Sequence, residues 1–202
     1  MDHRSRLLEG MARAVAAKGY GDTTLADIVA SANVSRRTFY EHFADKAECL
    51  LALFEQSSNR LTERVRNAID LQADGPQQIS QAMTAYLDTL AQYPELLRTV
   101  FMDILSLGDQ GLKVRRLGYE RLADLIVDMA RTHATHVGRD TTLSRPMAMA
   151  VVGGINELIL MHIEQGRSDR LHELHGSACA LLISVLHSAV DSTVEPSSKV
   201  LR

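Results

Sequence analysis

A chain of 202 residues that is 46 % hydrophobic and 23 % charged can bury a real core, which argues against disorder. Its two cysteines, Cys49 and Cys179, stand alone, which excludes a disulfide framework and a CxxC metal site and suits a reducing compartment. The start MDHRSRLLEG has no apolar core of signal-peptide length and no run is read as approaching a membrane span, so a soluble cytoplasmic protein is expected. Net charge is −3, divided unevenly. Residues 1–46 hold seven Lys/Arg and six Asp/Glu, giving +1; residues 47–202 hold fifteen and nineteen, giving −4.

The first predicted helix covers residues 3–18, with Leu7, Leu8, Met11, Ala14 and Val15 on one face, and Gly19-Tyr20-Gly21 ends it. Thr24 then caps a short helix, Asp27 completes a capping-box-like pair, and Leu25, Ile28, Val29 and Ala32 share a face. Asn33 stands at the turn, where asparagine tolerates the left-handed conformation. Ser35 caps a second short helix with Phe39 and Phe43 inward and Arg36, Arg37, Thr38, Tyr40 and His42 outward. Two short helices, a four-residue turn and a basic, hydroxyl-rich second helix are what a major-groove reader needs. Asp45 caps a long helix carrying Leu50, Leu53, Phe54, Leu61, Val65 and Ile69. Beyond the Gly75-Pro76 break, further helices run to about Gln92, over Pro94–Leu107, over about Gln110–Val137 with Gly138 as a stop, over Pro146–Gln165 and over Asp169–Asp191. No alternating strand pattern and no internal repeat occurs.

Within that second segment, Thr24, Ile28, Val34, Ser35, Thr38, Phe39, Tyr40, His42, Phe43 and Lys46 stand in an order that resembles the N-terminal domain of the TetR family of transcriptional regulators. About ten spaced positions make a far more specific signal than a lone short motif. Val29 stands where alanine is usual, Asn33 replaces the common turn glycine, and Ala26 lies where many members carry arginine or lysine. The resemblance implies an all-α, two-domain protein: a helix-turn-helix domain over 1–46, a helical effector-binding and dimerisation domain over 47–193, and a flexible tail over 194–202. It also implies a homodimeric regulator, a repressor in the first instance, that binds a palindromic double-stranded operator and is released by a small effector.

Tasks can be assigned on the reading segment. Arg36 and Arg37 occupy the first turn of the second helix, where arginine pairs bidentately with guanine. Thr38 suits a thymine methyl or a phosphate, and Tyr40 and His42 suit phosphate oxygens. Lys46 adds its charge to the positive end of the next helix. Thr24 and Ser35 are expected chiefly as caps. A plain solvated face is the alternative for the arginines.

The last two helices are apolar nearly all round, through Met147–Ile155 and Ala178–Leu186, so each must be covered on all sides. Pairing with a second copy achieves this, through Met149, Val152, Gly153, Leu182, Val185 and Leu186, with Gly153 and Gly154 allowing close approach. A monomer with two core helices is the other possibility. Residues 76–165 are the expected sensor, with Phe101, Met102, Leu105, Leu125, Met129, Asn156, Leu160 and His162 as candidate pocket residues. Methionines there favour an adaptable site for a hydrophobic effector.

His133 with His136, and His172 with His175, share helix faces, but two ligands leave a coordination sphere unfilled and HELH is not HExxH. No metal and no cofactor is therefore expected. No Gly-rich phosphate loop, GxSxG motif or repeated Glu-x-x-His is present, so an enzyme is not expected either. The competing function is a helical small-molecule-binding or interaction module that does not read DNA.

Overall fold

A computed structural model describes residues 2–136 and 143–191, apart from the side chains of 133–136 and 187–191. The helix stop at Val137-Gly138, the rings of His133 and His136 and the tail 194–202 fall outside the described residues. Every element among the described residues is helical.

Helix α1 (His3–Asp22) starts on Asp2, whose carboxylate accepts from the Ser5 amide, and breaks at Gly19, where φ is +78°. Only glycine takes that backbone angle at no steric cost. Helix α2 (Leu25–Ala32) carries the full capping box: Thr24 accepts from the Asp27 amide while Asp27 accepts from the Thr24 amide. Asn33 is left-handed at φ +52°, as its place in the turn demands. Ser35 caps α3 (Arg36–Tyr40), accepting from the Thr38 amide, and Asp45 caps α4 (Lys46–Ala68), accepting from Glu48. Helix α1 clamps the turn from outside. Arg6 donates to the carbonyls of Ala32 and Asn33, and Arg13 to that of Ser31, so the free carbonyls ending α2 find partners.

Leu7, Leu8, Met11, Val15, Ile28, Phe39 and Phe43 form the core of this unit, and it runs on into Cys49, Leu50 and Phe54. Helix α4 thus belongs to two cores, its first turns to one and Val65 to the other.

The larger core gathers α5 (Gly75–Ala91), α6 (Pro94–Phe101), α7 (Gly108–His136), α8 (Arg145–Glu164) and α9 (His175–Asp191). Two expected helices are shorter than their sequence pattern. Pro94–Leu107 divides: α6 ends at Phe101 and a 3₁₀ segment follows over Asp103–Leu107. There Asp103 accepts from the Thr99 hydroxyl at 2.9 Å and its carbonyl from the Ser106 hydroxyl at 2.6 Å, local bonds that compete with α-helical ones. Asp169–Asp191 divides too, into a 3₁₀ segment over Ser168–Leu174 and α9. Leu171 and Leu174, both buried, are three apart, the spacing that 3₁₀ winding stacks on one face.

One sequence expectation is corrected on α8. By length and composition this helix is apolar enough to cross a membrane, and only 39 % of its apolar window is buried within the chain.

Candidate DNA-reading helix and effector cavity

Helix α3 is seated by Phe39, which is fully buried and lies 5.7 Å from the rings of both Tyr40 and Phe43. With that face fixed, Arg36, Arg37, Tyr40 and His42 are turned to solvent, Tyr40 with 62 % of its surface exposed. Arg37 reaches back to Glu41 at 3.2 Å while remaining 91 % exposed, an ion pair too open to hold it. Thr38 shares a hydrogen bond of 2.9 Å with the Ser35 hydroxyl, so both hydroxyls are tied to the cap. Thr24 is engaged with Asp27 in the same way.

Lys46 is placed otherwise than its charge suggested. Its ammonium donates to the carbonyls of Tyr20 (2.9 Å) and Thr23 (2.8 Å) and sits 4.2 Å from the Tyr20 ring centre. It fastens the broken end of α1 to the start of α4. Burial and the nearby Asp45 carboxylate push the Tyr20 phenol upward, so the ring stays neutral beneath the cation. Asp27 accepts from Lys18 at 2.7 Å as well as from Thr24, and these bonds hold its carboxyl well below the usual range. The start of α1 brings two groups to the reading helix that its apolar pattern did not single out: Arg4 over the Phe43 ring at 5.6 Å, and His3 edge-on to His42 at 6.4 Å.

Between α4, α5, α7, α8 and α9 lies a small cavity of about 50 Å³, open on one side. Its walls are Val65, Ala82, Met83, Tyr86, Leu122, Leu125, Ile126, Met129, Val152, Ile155 and Leu182. Tyr86 carries the only polar atom among these side chains. Of the expected pocket residues, Leu125 and Met129 line it, and Asn156 is bonded to its wall through the Tyr86 hydroxyl at 2.6 Å. Phe101 and Met102 pack in the larger core without lining the cavity, Leu160 is half-buried, and Leu105 is 39 % exposed on the 3₁₀ segment, outside the cavity. His162 is buried elsewhere, its Nδ1 3.2 Å from the Leu158 carbonyl and its Nε2 3.7 Å from Glu173, which Arg167 also reaches.

The expected pairing residues divide as well. Val152 and Leu182 are corrected: they are 4 % and 3 % exposed and form cavity wall, so they have no surface to offer a partner. Met149, Val185, Leu186 and Gly153 are half-buried, and Met147 and Met161 are 49 % and 44 % exposed on the same helix α8. A Cβ added at Gly153 would meet nothing within 4 Å, whereas one at Gly154 would touch Leu181 at 3.3 Å.

Among the described residues, no three His, Cys, Asp or Glu side chains are grouped to hold a metal. His172 is exposed, while His175 lies 3.3 Å from the Ser80 hydroxyl and 3.7 Å from Cys179.

Residues 7–53 match the family described as bacterial regulatory proteins, tetR family. The fatty acid metabolism regulator protein of Bacillus subtilis is 22 % identical over 190 residues, covering 91 % of this chain and 95 % of its own length. The HTH-type transcriptional activator FasR of Mycolicibacterium smegmatis is 23 % identical over 154 residues, covering 76 % and 67 %. Among solved structures, the transcriptional regulator FadR from Bacillus subtilis in complex with stearoyl-CoA has a TM-score of 0.76 at 16 % identity, covering 90 % of this chain and 98 % of that one. FadR from Bacillus halodurans, a fatty acid degradation regulator, gives 0.75 at 16 % identity, over 89 % and 97 %. At such identities the structural likeness is one of fold.

Proposed function

Because the chain belongs to the TetR family of bacterial regulatory proteins, and is a DNA-binding transcriptional regulator rather than an enzyme, we propose that its effector is a long-chain acyl thioester. The cavity carries this proposal: walls of apolar side chains with a single tyrosine suit an alkyl chain. Relatives named for fatty acid metabolism, and a fold shared with a regulator crystallised with stearoyl-CoA, support the same class.

Arg36 and Arg37 read base edges, with Tyr40, His42, Arg4 and His3 placed for phosphates. Thr24, Ser35 and Thr38 hold the helices in position, and Lys46 acts mainly as the fastener between α1 and α4. Two copies pair through the uncovered side of α8, where Gly153 lets a partner helix approach, and together read an inverted repeat. The protein works in the cytoplasm, where its DNA is. Whether acyl binding releases or promotes operator binding depends on which conformation the ligand prefers; FasR is named an activator, FadR a degradation regulator.

Selection from random duplex DNA, with an Arg36→Ala/Arg37→Ala double mutant alongside, tests the DNA half of this proposal. One inverted repeat, lost in the mutant, is expected. Titrating palmitoyl-CoA into that complex tests the other half: operator affinity should change about 5- to 150-fold, the usual size of allosteric coupling. Unchanged affinity, with no palmitoyl-CoA bound, overturns the acyl effector. Retention of unrelated sequences by both proteins overturns the reading helix and favours a binding module that does not read DNA.

A further inference from the structure

Helix α8 presents Val152 and Ile155 to the cavity. Asn156 lies one turn beyond Val152, hence on the same side of the helix. It is 3 % exposed. Its Oδ1 accepts from the Tyr86 hydroxyl at 2.6 Å, and Tyr86 is itself cavity wall. Its Nδ2 is buried and meets no hydrogen-bond acceptor. Exchanging the amide oxygen and nitrogen does not remove the excess. The nitrogen would then donate one hydrogen to the tyrosine oxygen, and its other hydrogen and the tyrosine's own proton would be left over. Either way this buried pair holds two donors more than it can use, and buried donors are rarely left so.

We propose that Asn156, oriented by Tyr86, donates to the carbonyl oxygen of the effector's acyl group, so that the site recognises an acyl carbonyl and not merely an alkyl chain. This rests on the acyl-effector reading above and adds the group that is read. A carbonyl is the matching ligand because it brings an acceptor and no proton. A free carboxylate fits badly: the cavity walls contain no cation, and an unpaired charge moved into them is strongly disfavoured. Burial and the neighbouring Tyr119 hydroxyl push the Tyr86 phenol upward, so Tyr86 remains a neutral donor and introduces no competing anion. The ligand class is therefore an acyl derivative whose carbonyl end is uncharged, a thioester or ester, in preference to the fatty acid itself.

Three probes separate the possibilities on the full-length protein: palmitoyl-CoA, S-hexadecyl-CoA, in which a CH₂ replaces the carbonyl, and palmitate. Palmitoyl-CoA should bind about tenfold more tightly than the thioether, the usual effect of satisfying or abandoning one buried donor. Palmitate should bind more weakly than palmitoyl-CoA. Asn156→Leu, close in size, should bring the two CoA derivatives to equal affinity, near the wild-type value for the thioether. Should that variant fail to fold, Tyr86→Phe decides: it frees the amide from its orientation and should lower the preference with helicity unchanged. Equal wild-type affinity for thioester and thioether overturns the role of Asn156 and leaves the acyl effector standing. So does a preference that is undiminished in either folded variant. Binding of neither CoA derivative by the wild type overturns the acyl effector itself.

Discussion

Ile104 should be where the sensor takes hold of the reading domain, and Ile104→Ala should loosen that hold. The residue sits on the 3₁₀ segment between α6 and α7, yet its side chain is 1 % exposed within the core of the DNA-reading unit. Helix α7 rests directly on it: a Cβ added at Gly111 would stand 1.9 Å from the Ile104 carbonyl oxygen. Further along, the same helix supplies Leu122, Leu125, Ile126 and Met129 to the cavity. A ligand that moves α7 thus moves a peg set in the other core. Truncation to alanine at a site so fully buried should cost about 2–5 kcal/mol, and Ile104→Val about 0.5–1.5 kcal/mol. Urea unfolding measures both. The informative assay is operator affinity with and without saturating palmitoyl-CoA. In Ile104→Ala the effect of the ligand should shrink from the roughly 1–3 kcal/mol typical of allosteric coupling to about a few tenths of that, with affinity for the ligand itself little changed. Ile104→Val should keep most of it. A variant that loses the expected stability yet responds to the ligand as fully as wild type would make Ile104 ordinary core and leave α4 as the transmitting element.

Other expectations are more local. Asn33→Ala keeps a β-carbon in the left-handed region without the short polar side chain that lets asparagine tolerate it and should cost up to about 1–2 kcal/mol, whereas Asn33→Gly should be tolerated; thermal unfolding of the two variants decides. Asp27 has its folded-state carboxyl held low by Lys18 and Thr24, so its contribution is complete above the unfolded value and lost as pH falls through the acid range below it. The stability gap between wild type and Asp27→Asn should accordingly close below about pH 4, and a gap constant from pH 7 to 3 contradicts this. Burial pushes the Cys49 thiol up to about 12, so at pH 8 iodoacetamide should label the half-buried Cys179 and reach Cys49 only in denaturant. Met149→Glu places a charge on the uncovered side of α8 and should give a helical monomer that no longer holds the operator; sedimentation of an intact dimer would move the interface elsewhere.

What could be read from the sequence was what is decided within a few residues. The caps at Thr24, Ser35 and Asp45 and the left-handed Asn33 are set by side chains reaching their own backbone, so their spacing alone announces them. Lys46 shows the limit. Its neighbours in sequence suggested a free cation at a helix start, while the carbonyls that take its protons arrive from 23 and 26 residues away. The 3₁₀ segments were hidden for a similar reason. Ile104 and Leu107, like Leu171 and Leu174, are three apart, a spacing that an α-helix also accepts. The cavity was half legible: Leu125 and Met129 could be proposed from α7 alone, but Val65, Ala82, Met83 and Tyr86 join them only once α4 and α5 are packed alongside.

Helix α8 poses the hardest case and the most consequential one. An apolar pattern that runs all the way round contains no period from which to separate its sides, so Val152 and Gly153 looked equivalent. Packing divides them: Val152 and Ile155 turn to the cavity, while Gly153 faces open space and Met147 and Met161 remain exposed. With pairing on that second side, one helix touches the ligand with one face and the partner subunit with the other. A close-packed helix cannot yield on one side and stay fixed on the other. At Gly153, moreover, no side chain would stand between subunits paired there to absorb a shift. On the proposed pairing, an acyl chain entering the cavity would then alter how the subunits meet, and with it the separation of the two reading helices. Linkage makes the effect reciprocal: whatever factor the ligand changes in the dimerisation constant, dimerisation must change in the affinity for ligand.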